Sequence, residues 1–290
     1  MRKLCIIGCG NVGKTLGRLW NQEKIFSVGD ILNRSEASSL LAARFIGAGR
    51  LVSGVAEMSH AEVFLIGTPD DQIGESCRAL AASGLLRAGD VVFHCSGALP
   101  SVDLISAKET GACIASVHPI KSFASPAESV KTFSGTFCGM EGDDQALEIL
   151  RPAFEAIGGK PIAINPQFKT IYHTAAVMAC NYLTSLIEIG AQTYLKAGLD
   201  RETAMQVMEP IVRGTVDNIF ASGTIRALTG PIARGDHSVV AKQLSALSDW
   251  NPRFGNLYRD LGATALELSR LQGTASPDSL AALAALLQQE

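Results

Sequence analysis

The first half of the chain alternates between short apolar runs and amphipathic stretches. Residues 4–7, 28–32, 62–66, 91–94 and 113–117 are dominated by Ile, Val, Leu, Phe and Cys and are bounded by turn-forming residues. Runs of that length read as strands buried on both faces. Weaker signals of the same kind fall near Leu51 and at 136–141 and 161–164. Between them, residues 14–23, 36–45, 71–82 and 143–157 carry the spacing of amphipathic helices. Strand and helix in turn over residues 1–165 predict an α/β domain with a doubly wound sheet. After Asn165-Pro166 the strand signal stops. Helical stretches follow at about 167–196, 201–221, 236–248, 251–272 and 277–288. The change of period predicts two domains, 1–166 and an all-α 167–290.

The first strand runs into Gly8-Cys9-Gly10-Asn11-Val12-Gly13, a G-x-G-x-x-G turn with a helix straight after it. Gly8 suits a tight turn, Gly10 a close approach by a pyrophosphate, and Gly13 close packing of helix on strand. The free amides and positive dipole end of the helix would face the phosphates. With a strand before it, a helix behind it and a second strand at the right distance, the motif predicts a Rossmann-like dinucleotide site. The second strand ends Asn33-Arg34-Ser35, without the carboxylate that would accept from a ribose 2′-OH. An arginine there suits a 2′-phosphate, so NADP(H) is the expected cofactor.

Ligands of open α/β sheets sit outside the carboxyl ends of the strands. That rule adds Thr68 and Pro69, after the strand ending at Ile66, and Ser96, after the strand ending at His94, to the cofactor side. Asp70 is expected to cap the helix that starts there. His118, followed by Pro119, is a substrate-binding candidate or a structural hydrogen-bonder, and Lys121 is a weaker anion-binding one. On the first helix of the second half, Lys169, His173, Val177 and Cys180/Asn181 recur at four-residue steps. Polar groups on a mostly apolar helix are costly to bury without partners, which makes Lys169, His173 and Asn181 catalytic candidates. A turn between later helices, Thr229-Gly230-Pro231-Ile232-Ala233-Arg234-Gly235-Asp236, offers Thr229 and Arg234 to the substrate, Arg234 as a carboxylate clamp. Asp236 serves there or as an N-cap.

Composition narrows the function further. Of 290 residues 47% are hydrophobic and 18% charged, as in a globular enzyme, and the net charge is −3. That charge gives no general attraction to nucleic acid or to an anionic membrane. No apolar run approaches the ~20 residues that span a bilayer. Seven scattered cysteines without a C-x-x-C pair read as reduced thiols of a cytoplasmic protein, and no cluster has metal-ligand spacing. Residues 1–3 lead directly into the first strand, which fits a chain without a leader.

Taken together, GCGNVG, NRS, GTPD, CSGA, HP, the K-x-x-x-H helix and TGPIARGD resemble bacterial proteins with a Rossmann-like domain joined to a helical C-terminal domain. That group is similar to the superfamily of 6-phosphogluconate and 3-hydroxyisobutyrate dehydrogenases and ketopantoate reductases. The resemblance implies that the first interdomain helix supplies a lysine general acid and an asparagine that orients the substrate. Lys169 matches the lysine. His173 stands where the asparagine is expected and Asn181 lies two turns on, so the proton donor is Lys169 or His173. Thr229 sits roughly where ketopantoate reductases carry a substrate-binding serine. The expected function is NADPH-dependent reduction of a small 2-oxo or 3-oxo acid, ketopantoate first, in a homodimer. Reduction of an imine or a deazaflavin-type cofactor, and NADP(H) sensing without turnover, are the alternatives.

Overall fold

The computed structural model describes residues 1–288. Eight strands form one sheet: β1 (Arg2–Ile7), β2 (Phe26–Leu32), β3 (Arg50–Val52), β4 (Val63–Ile66), β5 (Val91–His94), β6 (Cys113–Pro119), β7 (Phe137–Gly142) and β8 (Lys160–Ala163). Their order is β3-β2-β1-β4-β5-β6-β7-β8. All neighbours are parallel except β6 and β7. The order reverses between β1 and β4, the switch point at which such sheets open a crevice.

Alternation along the strands explains the two cores. Leu4, Ile6, Val63, Leu65 and Phe93 face one side, with the helices Asn11–Gln22 and Asp144–Glu155. Cys5, Ile7, Phe64, Ile66 and Val92 face the other, with the helix Asp70–Ala82. Trp20 anchors the first core. Its ring meets Phe26, Phe93 and Phe154 edge-on at 5.3, 6.3 and 5.2 Å, and its Nε1 donates to the Ala153 carbonyl at 2.8 Å.

Within β2, Asp30 is a buried carboxylate. It accepts from Arg50 Nε and from the Ser59 amide and hydroxyl, each at 2.7 Å. Burial alone would raise its pKa, but these bonds outweigh burial and hold it at about 2.

On the second face, one row of paired residues changes character as it crosses the sheet. Ile7, Ile66, His94, Ser116 and Glu141 stand side by side on β1, β4, β5, β6 and β7. The row is apolar at the switch point and polar beyond it.

The chain divides into two compact units, Met1–Cys180 and Asn181–Glu290. The helix Lys169–Ala176 therefore belongs with the sheet, although the strand pattern ends before it. The single helix expected over 167–196 is interrupted by a π turn, Val177–Asn181, before Tyr182–Lys196. A π turn departs from the 3.6-residue repeat, so the four-residue stripe is broken before Asn181. The second unit contains the further helices Arg201–Ser222, His237–Trp250, Pro252–Gln272 and Pro277–Gln288 around a small core of Val240, Leu266, Leu280, Leu283 and Leu287. No helix among the described residues is long and apolar enough to cross a membrane.

Replacing the central indole tests the first core. Trp20→Ala should lower unfolding stability by about 3–5 kcal/mol in a urea titration, and a loss under 1 kcal/mol would contradict this account of the packing.

Candidate functional site

The glycine turn is built by close approach. Gly8 has φ +82°, and a Cβ there would collide with the Thr68 backbone. The Gly8 amide donates to Leu32 and the Gly67 amide to Ile7, both at 2.7 Å, tying the ends of β2, β1 and β4 together. Gly13 packs its α-carbon against Cys9 and Ile6, and a Cβ there would lie 3.3 Å from Cys9 Sγ. Around Gly10, by contrast, nothing lies within 4 Å of where a Cβ would be. As N-cap of the helix Asn11–Gln22 it supplies no side chain to the first amides.

The neighbouring candidates divide into engaged and unengaged groups. Asn33 Oδ1 accepts from the Cys9 amide at 2.5 Å and so braces the turn. Its Nδ2 is a buried donor with no partner. Arg34 is exposed beside it. Ser35 is occupied as the N-cap of Glu36–Ile46, accepting from Ser38 N. Asn11 Nδ2 donates to the carbonyls of Phe123 and Ala124, which fastens a loop over the helix start. Val12 packs on the first core. Thr68 is half-buried, and Pro69 stands at the N-cap of Asp70–Ala82.

Asp70 does not cap that helix. Its Oδ2 instead accepts from Ser96 Oγ at 2.8 Å, and the same Ser96 oxygen accepts from the amides of Ala98 and Leu99. Ser96 is thus the pin of its own turn. Behind it, His94 Nδ1 accepts from the Ser96 amide at 3.1 Å and Nε2 lies 3.2 Å from the Pro100 carbonyl. With one nitrogen accepting and the other donating, the buried ring is neutral. Burial, then the charge of Lys169, pushes its pKa down to about 4.

Lys169 is 1% exposed. Its Nζ is 3.2 Å from Glu141 Oε1 and donates to Ser116 Oγ. Glu141 also accepts from the Ser101 amide and hydroxyl at 2.7 Å each. Burial lowers the Lys169 pKa and Glu141 opposes it. One turn along the same helix, Tyr172 places its hydroxyl 3.0 Å from His118 Nδ1. His173 packs edge-on against His118, with ring centroids 5.3 Å apart. Its Nδ1 is buried without a partner. A Cβ at Gly97 would run into His173 Nδ1 and His118 Nε2 together, so only glycine leaves room for both rings. Burial first, then His173 and Lys169, lowers the His118 pKa to about 4.

The first unit therefore brings together Lys169, His173, His118 and Ser96 at the carboxyl edge, with Glu141 and Tyr172 as members the sequence reading missed. Asn181, Thr229 and Arg234 belong to the second unit. Asn181 is exposed. Thr229 lines a cavity of about 340 Å³ with Pro231, Tyr258 and Leu261. Arg234 is paired through Nε and a terminal nitrogen with Asp236 Oδ2, at 2.9 and 2.8 Å. Asp236 makes no side-chain cap. No disulfide joins the seven cysteines, and among the described residues no group of three or more His, Cys, Asp or Glu could hold a metal ion.

Comparison with known proteins matches residues 2–119 to a Rossmann-like domain and residues 136–265 to a domain of unknown function, DUF2520. Protein TM1727 from Thermotoga maritima is similar over 93% of this chain and 99% of its own, at 28% identity and TM-score 0.75. An imine reductase from Myxococcus stipitatus in complex with NADP⁺ is 16% identical, with TM-score 0.63 over 99% of this chain and 100% of its own. A Plasmodium falciparum pyrroline carboxylate reductase with NADP bound is 13% identical, with TM-score 0.55 over 99% and 98%. The last two likenesses establish the fold alone. No curated protein matches the chain in sequence.

The neutral His94 has a pH signature. Its folded pKa of about 4 lies below the ordinary 6.5. Between those values the unfolded chain takes up a proton that the folded chain refuses, so stability falls as pH drops from 6.5 to 4. The melting temperature should fall across that window, and the fall should shrink in His94→Gln; an identical acid slope in the variant would refute the assignment.

Proposed function

We propose that the chain is an NADP(H)-dependent oxidoreductase that reduces a small 2-oxo or 3-oxo acid, ketopantoate being the first substrate to test. The observation that carries this reading is the glycine turn: open space over Gly10 beside a buried, unpartnered Asn33 Nδ2. An orphaned donor next to uncapped helix amides fits an anionic ligand. Gly8, Gly10, Val12 and Gly13 would shape the phosphate seat, with Asn33 and Arg34 toward the ribose and its phosphate. The NADP bound by two similarly folded enzymes supports the choice of cofactor.

When bound, NADPH supplies the hydride. The chain's own residues hold the substrate and provide a proton. Lys169 is sealed against Glu141 and Ser116, which suits it to holding its helix in place. His173, with a ring nitrogen left unpaired, is the better donor to the forming alkoxide, and His118 beside it orients the substrate. A proton donor of this kind contributes on the order of 10²–10⁴-fold.

One observation favours a second reading, reduction of an imine. Arg234 already shares its guanidinium with Asp236, which weakens its case as a carboxylate clamp. The imine reductase activity of the M. stipitatus enzyme points the same way.

A screen of NADPH oxidation over 2-oxo acids, 3-oxo acids and cyclic imines separates these readings. His173→Ala should lower turnover by about 10²-fold or more with NADPH affinity held. Arg34→Ala should weaken NADPH by about tenfold and leave NADH unchanged. Arg234→Ala with an unchanged substrate KM supports the imine, whereas binding of NADPH without oxidation by any substrate defeats both readings in favour of a sensor.

We also propose a cytoplasmic homodimer. On the helix Arg201–Ser222, Met205, Ile211 and Phe220 are exposed, Phe220 at 87%. Apolar surface of this kind is typical of a protein contact. Light scattering should give twice the chain mass for the wild type and the single mass for Phe220→Glu; a monomeric wild type would rule the dimer out.

A further inference from the structure

Tyr172 was not among the residues expected to act, yet it is wedged into the site from both sides. Its phenol lies over Gly139 of β7, where a Cβ would come within 2.5 Å of the hydroxyl. The hydroxyl is 3.0 Å from His118 Nδ1, and the two rings meet edge-on at 5.6 Å and 87°. On its opposite side, His118 turns Nε2 to the α-carbon of Gly97, where His173 Nδ1 also arrives.

A neutral imidazole carries one N–H, and the hydrogen bond made by one nitrogen decides which of the two bears it. Among the described residues Tyr172 Oη has no partner but His118, so its proton would be orphaned if Nδ1 carried one too. His118 Nε2 is not among the sealed, unpartnered atoms, and an N–H there can be met by water or a ligand. The phenol proton therefore goes to His118 Nδ1, which must be bare to receive it. We infer that Tyr172 is a positioning residue that fixes His118 as the Nε2–H tautomer and aims that N–H at the Gly97 and His173 side of the ring. His118 then offers a neutral donor to a group that accepts a hydrogen bond, such as a carbonyl oxygen or an imine nitrogen. The catalytic meaning of this arrangement rests on the proposed reductase activity; the tautomer itself does not.

Long-range ¹H–¹⁵N spectra of the full chain, labelled at histidine and recorded at pH 7 without ligand, read the tautomer directly. The His118 signals are assigned by their loss in His118→Gln. The wild type should show His118 protonated at Nε2 with a bare Nδ1. Tyr172→Phe, which removes only the hydroxyl, should move His118 toward a mixture of tautomers. Gly139→Ala, which pushes the phenol away, should do the same with Tyr172 intact. A wild-type His118 protonated at Nδ1, or a His118 unmoved in both folded variants, overturns the inference. With a substrate from the oxidation screen, Tyr172→Phe should lower kcat about tenfold while KM for NADPH holds; an unchanged kcat overturns the catalytic role. If the wild type oxidises NADPH with no substrate, the reductase reading fails while the tautomer result stands.

Discussion

An ammonium and a carboxylate buried together hold this site in shape. Lys169 and Glu141 are 1% and 5% exposed, and a charge that deep is tolerated only with its counter-charge and further hydrogen bonds. Ser116 and Ser101 supply those bonds. Removing either partner of such a pair typically costs about 3–5 kcal/mol, because the other is left charged in a dry place. The pair is weak evidence for stability as such. Its consequence is placement: with Lys169 fixed, the helix above the sheet has one allowed rotation, and Tyr172 and His173 inherit it.

The other side of the site is built without charge. Gly8, Gly67 and Gly97 are positions where a side chain would strike a neighbour, so backbone meets backbone at the switch point and two imidazoles fit against one α-carbon. Polarity grows along the paired row from Ile7 to Glu141. The glycine turn therefore meets an apolar floor and the histidines stand on a hydrogen-bonded one. Ser96, Asp70 and His94 connect these regions; Ser96 Oγ and both nitrogens of His94 already have partners, and Asp70 accepts from Ser96, so they keep loops in position.

Much of the fold was legible because buried parallel strands write themselves as uncharged runs and amphipathic helices as a 3.6-residue repeat. The glycine turn was legible for the same kind of reason: Gly8 and Gly13 answer a local steric demand, and Gly10 leaves open space at the helix start. What stayed hidden depends on contacts between segments far apart in sequence. Glu141 looked like the tail of a strand, and only its pairing with Ser116 across β6 and β7 puts it under Lys169. Tyr172 belongs to no motif, and only the approach of His118 from a distant strand gives its phenol a role. Asp70 had the position of a cap and was drawn instead to Ser96, 26 residues away. The π turn at Val177–Asn181 has no compositional signature, so the stripe ran on through it in the sequence.

The direction of β7 has a consequence for how the sheet finds its alignment. Ser116 pairs with Glu141 and His118 with Gly139, two steps along the same face. One turn of the overlying helix sets Lys169 against the first pair and Tyr172 against the second, so the stride of the strands and the stride of the helix fall into step. A ladder slipped by one position would satisfy the backbone equally well, but it would turn Glu141 and Gly139 to the far face. Lys169 would then be sealed in without its anion and the phenol would lose its socket. Charge and a missing side chain, rather than the amide ladder, act as the vernier of this edge.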